Sequence, residues 1–101
     1  MMREVAELIA QVDAAVREVS GVAELYHAAA LPARLWTATV ERREVYSDVL
    51  RRNGVLEAVV SIGVSHGRAA DVARTVAARV RAVLDEPDAR VTVRVSRITV
   101  P

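Results

Sequence analysis

His27 and His66 are the only histidines in the chain, and no cysteine is present to join them. A metal site would need both rings to converge with a carboxylate such as Asp48. Nothing in the spacing forces that convergence, so ordinary histidines and no metal are expected. Gly63, Ser65, His66 and Gly67 mark a junction between a strand pattern and a helix pattern, and such a junction exposes backbone N–H groups that can hold an anion. The spacing fits neither GxGxxG nor GxxxxGKS/T, and no lysine follows. A structural turn is the better reading. Ser61, Ser65 and Ser96 could act as nucleophiles with His66 as base, yet no elbow motif and no third orienting residue accompany them. Glu41/Glu44 and Asp85/Glu86/Asp88 fall in apparent loops, where solvated charge is the ordinary outcome. The expectation is therefore no enzyme, no cofactor and no small-molecule substrate.

The cationic chemistry is all arginine. Lys and Arg together number 14, Lys is absent, and the net charge is +1. An Ala/Val-rich, all-Arg chain first signals a GC-rich genome, with guanidinium recognition of phosphate or carboxylate as the functional reading. The charge is uneven: Met1 to Arg34 holds three Arg against five acids, and Gly67 to Pro101 seven Arg against four. Arg74, Arg81, Arg94 and Arg97 could form a patch on the last helix and strand that contacts nucleic acid or anionic lipid headgroups. Aromatic platforms on which bases stack are missing from these strands. Nucleic acid is thus not the expected partner, and the patch stands as the alternative reading.

The elements that must position these groups are legible. At 101 residues the chain is one domain, 1–101. Val5, Leu8, Ile9, Val12, Val16 and Val19 recur at spacings of three and four, which predicts a helix from about Arg3 to Val19, with Gly21 as its C-terminal cap. Glu4, Glu7, Gln11, Asp13, Arg17 and Glu18 lie mostly off that stripe. Val22 to His27 reads as a short strand, Ala28 to Trp36 as a loop, and Trp36 to Val40 as a second strand. Val45 to Leu50 and Val55 to Val64 flank Arg51-Arg52-Asn53-Gly54, a strong hairpin signal. Leu56, Ala58, Val60, Ile62 and Val64 share the face that goes to the core. A second helix begins after Gly67 with Ala69, Val72, Ala73, Val76, Val80, Val83 and Leu84 as its apolar stripe, and Asp85-Glu86-Pro87-Asp88 ends it.

Val91, Val93 and Val95 then face the core from a last strand. The phase changes at Ser96-Arg97, through a bulge or through a strand end whose apolar residues meet another chain. The fold class is α+β: two helices on one face of a three- to four-stranded mixed sheet, in the order α-β-(β)-β-β-α-β. Val55, Val59, Ile98 and Val100 are left over from the core and form the expected self-association surface. The N-terminal segment lacks the character of a signal peptide, and no apolar run approaches the ~20 residues that span a bilayer. A cytoplasmic location, with any membrane association peripheral, follows as an expectation.

With the elements in this order, REVSGVAELY, NGVLEAVVSIGVSHG, AADVARTVAARVRAVL and DARVTVRVSRI resemble the alkaline-shock protein family of small bacterial envelope-stress proteins. The likeness covers most of the chain and rests on order more than on any single motif. The chain departs from the family in three ways. It starts on the helix without a preceding strand, it has Arg68-Ala69-Ala70 where Asn-Ile/Leu-Pro is customary, and it lacks a long basic tail. It would be a short divergent member. The resemblance implies a non-enzymatic, cytoplasm-facing, homo-oligomeric stress protein linked to the cell envelope through a membrane-anchored protein.

Overall fold

The computed structural model describes residues 2–28 and 46–99. Six elements follow one another: α1 (Met2–Arg17), β1 (Val22–Tyr26), β2 (Asp48–Arg52), β3 (Val55–Val64), α2 (Ala69–Leu84) and β4 (Arg90–Ile98). The fold is α+β, with both helices against one face of a four-stranded mixed sheet. The expected strand Trp36 to Val40, the loop Ala28 to Trp36 beyond its first residue, and Val100 lie outside the described residues.

β3 organises the sheet by pairing with all three other strands. It runs antiparallel to β1 through Val22↔Val64 to Tyr26↔Ser61, and antiparallel to β2 through Asp48↔Val59 to Arg52↔Val55. It runs parallel to β4 from Glu57↔Arg90 to Val64↔Ile98. A strand has only two hydrogen-bonding edges. Because β4 occupies one of them along its paired length, β1 and β2 share the other and lie end to end. Where the first ends and the second begins, the Ala28 N–H donates to the Tyr46 carbonyl at 2.9 Å.

The core is the even-numbered face of β3, as the alternation predicts. Leu56, Ala58, Val60, Ile62 and Val64 are buried there against Ile9, Val12 and Val16 of α1 and Val72, Val76, Val80 and Leu84 of α2. Fully burying each such aliphatic side chain contributes about 1.5–3 kcal/mol, which is how small β-branched residues hold two thin layers together without phenylalanine. Val91 and Val93 of β4, with Val22 and Leu25 of β1, pack on the rim of that core.

The turns follow their residues. Asn53 and Gly54 both have positive φ, +52° and +79°, the type I′ geometry that matches the twist of a two-residue hairpin. α1 stops at Arg17, two residues short of the expected end, and unwinds through tighter turns that still bury Val19. Gly21 then adopts φ +96°, and a Cβ there would fall 2.7 Å from the His66 carbonyl oxygen and 2.8 Å from Val72. Its own carbonyl accepts from the Ser65 N–H at 2.9 Å, so the α1–β1 and β3–α2 turns are pinned together.

Candidate interaction surface

The face of the sheet turned away from the helices is built by the odd-numbered residues of β3 and their register partners. Val55, Glu57 and Val59 are half-buried on it, beside Leu50 and Asp48 of β2 and Arg90 and Thr92 of β4. Glu57 lies between Arg52 and Arg90, 3.7 Å from each. Farther along, Tyr26 leans over Gly63, where a Cβ would meet its ring at 3.2 Å. A glycine in the strand interior thus leaves room for an aromatic cover. A hydrogen bond to Glu24 is the main cause that holds the Tyr26 phenol above its ordinary pKa, helped by partial desolvation and opposed by the Arg97 guanidinium. Ser61 is buried beneath a hydroxyl contact with Ser96.

That contact marks the bulge. The register runs Ile62↔Val95 and then Gly63↔Arg97, so Ser96 is the extra residue. The bulge accounts for the phase change read from the sequence. A second irregularity on the opposite edge, between Val22 and Glu24, brackets the same end of β3.

β4 is the outermost strand on its side. Among the described residues it pairs with β3 alone, so its outer edge presents unpaired backbone groups over nine residues. Along this edge one row of side chains faces the helix side and the other the open side. Val91, Val93, Val95 and Ile98 form the first row, with exposure rising toward the end to 36 % at Val95 and 59 % at Ile98. Arg90, Thr92, Arg94, Ser96 and Arg97 form the second.

Of the residues expected to form a self-association surface, the three that are described do not share one face. Val55 and Val59 lie on the open face and are half-buried, whereas Ile98, paired with Val64, has the parity of the core face. The inserted Ser96 restores Ile98 to the helix side. The arginine patch divides as well. Arg94 and Arg97 belong to the open face, opposite Ser61 and Gly63, while Arg74 and Arg81 project outward from α2 beyond the other face. Arg74 pairs with Asp71 at 3.1 Å, and Arg81 donates to the Ala89 carbonyl at 3.0 Å.

The histidines stay apart too. His66 is exposed, with Ser20 Oγ 3.2 Å from Nε2 and Ser65 Oγ 3.1 Å from Nδ1. His27 stacks on Tyr46 with centroids 4.9 Å apart, and the Arg17 guanidinium lies 5.2 Å from the centre of the same ring. Among the described residues there is no group of three or more His, Asp or Glu able to hold a metal ion, and no helix is long and apolar enough to cross a membrane.

Two features escaped the sequence reading. Asp13, assigned to the polar side of α1, is buried and accepts from the backbone N–H groups of Tyr46 and Ser47 and from the Ser47 hydroxyl. Its place four residues after Ile9 and three before Val16 was the available signal, since those spacings share a helix face. The open edge of β4 was the other, and its charge was visible as three arginines with no acid. The chain matches no protein-family model, no curated protein and no solved structure.

Proposed function

We propose that this chain is a non-enzymatic interaction module that engages another polypeptide along the outer edge of β4. One observation carries the reading: among the described residues, a nine-residue strand closes the sheet with an unpaired edge, and Val95 and Ile98 beside it are the exposed large hydrophobics. Free edges of this length are templates for strand addition, and proteins that do not use them usually shorten, bulge or cover them. Here the bulge comes only at Ser96, after most of the strand is laid down.

The envelope-stress setting belongs to this proposal through the resemblance of the sequence, and with it come the cytoplasmic location, the membrane-anchored partner and the homo-oligomer. A second reading, anion binding by arginines, is supported only by Arg94 and Arg97, since Arg74 and Arg81 lie on the other side of the sheet.

The test is an amide-resolved NMR titration of the full chain. One arm raises protein concentration to the millimolar range, and the other adds extended peptides selected from a random display library. The module reading expects shifts clustered on Arg90–Ile98 in at least one arm. A chain that stays at its monomer mass of 11.0 kDa and whose β4 amides respond to no selected peptide would overturn it.

A further inference from the structure

We infer that the β4 edge takes an extended segment in which acidic and apolar residues alternate, rather than a second copy of this chain. The inference rests on the interaction-module reading above and specifies its partner. Successive side chains of an added strand point to opposite faces of the sheet. One row of the partner therefore meets Val93, Val95 and Ile98 on the helix side, where apolar groups extend the core. The other row meets Arg90, Arg94 and Arg97 on the open side.

The charge of that second row decides the partner. β4 carries three arginines and no acid. The described ion pairs engage Arg51, Arg52, Arg74 and Arg90, and leave out Arg94 and Arg97. Arg90 shares its carboxylate, Glu57, with Arg52, and both lie 3.7 Å away. At the other end Glu24 and Arg97 both hydrogen-bond Tyr26, which sets one acid near one of the arginines. The outer edge thus presents an excess of positive charge, and Arg90 and Arg94 are separated along the strand by about 13 Å at the usual rise per residue. A partner with acids at alternate positions would place carboxylates beside them, and opposite charges across strands are favourable.

The same row of charge disfavours the second copy. Antiparallel pairing of β4 with β4 from another molecule gathers the arginines of both strands on the open face, with no carboxylate on either edge strand. Like charges directly opposite are destabilising, and charged side chains on an edge are a recognised guard against self-pairing.

The experiment uses the full chain and three seven-residue peptides of alternating pattern, Val-Glu, Val-Lys and Val-Ser. Binding is read by fluorescence anisotropy and mapped by amide shifts. The acidic peptide should bind with shifts on Arg90–Ile98 and lose affinity with added salt. It should weaken roughly fivefold in Arg94→Glu, the scale of one exposed ion pair removed and one repulsion added. Arg74→Glu, on the far side of the fold, should leave it unchanged. Equal binding of the Val-Ser or Val-Lys peptide at β4 would overturn the acidic inference and leave the module reading standing. So would dimerisation through β4 without any peptide binding. A single-stranded RNA oligonucleotide that displaced the acidic peptide from β4 would overturn it as well. Silence in every arm would overturn the acidic inference, and the library selection described above then decides the module reading separately.

Discussion

Asp13 reaches across 34 residues of chain to Ser47, accepting from its N–H at 3.0 Å and from its hydroxyl at 2.7 Å. The other carboxylate oxygen accepts the Tyr46 N–H at 3.1 Å. A carboxylate can only accept, so one side chain of α1 satisfies three donors at the entrance to β2. Tyr46 is held by more than this bond, since Arg17, one turn farther along α1, lies over its ring. The first helix therefore sets where β2 begins.

Removing that acceptor should be costly. Asp13→Ala leaves buried donors without a partner and is expected to destabilise by about 3 kcal/mol, with Ser47→Ala near ~1 kcal/mol. Urea unfolding midpoints at constant slope read both. The double variant should cost less than the sum, because the two residues share bonds. An Asp13→Ala midpoint that stayed at the parent value would refute the clamp.

Glycine substitutions separate strain from collision. Gly54 has φ +79° and nothing within 4 Å of where a methyl would stand, so Gly54→Ala should cost only the backbone penalty, about 1 kcal/mol. Gly21 combines φ +96° with contacts of 2.7 and 2.8 Å to the His66 carbonyl and Val72. Gly21→Ala must also push the α1–β1 and β3–α2 turns away from each other, and is expected to cost about 3 kcal/mol or more. Thermal melts of the two variants should differ clearly. Equal losses would mean that the turn junction yields freely.

Arg51 and Glu86 set an expectation for the acid range. Arg51 meets Glu86 with both terminal nitrogens, at 3.1 and 2.8 Å. That bonding is the main reason the Glu86 carboxyl sits below its ordinary range; partial desolvation opposes it and the guanidinium charge adds to it. A folded-state pKa below the unfolded value stabilises at pH above the unfolded value and loses that contribution as pH falls through the folded one. Melting temperatures of the parent and Glu86→Gln should therefore differ at neutral pH and converge in acid, below about 4.5. A gap that is constant with pH would show that the pair does not contribute through its charge.

Local patterns were legible in the sequence and non-local ones were not. The even-numbered face of β3, the Val72/Val76/Val80 stripe and the Asn53-Gly54 turn each depend on a few neighbouring residues, and each appears where it was read. The bulge at Ser96 was readable as a change of phase, but its consequence for Ile98 was not. One inserted residue returns Ile98 to the helix side, and that depends on the register with Gly63 and Val64. Asp13 was misplaced because a charge on an apolar stripe looks like an edge residue until its donors, far along the chain, are known. The placement of β1 and β2 on one edge of β3 has the same origin. Only the pairing partners reveal it.

That shared edge makes the sheet three rails wide, with one rail assembled from two pieces of chain. The pieces meet at a neck where Ala28 and Tyr46 are hydrogen-bonded and Asp13 and Ser47 are clamped. The joint is fastened from α1, so that rail answers to the first helix, whereas β4 is held on the other edge by its own parallel pairing with β3.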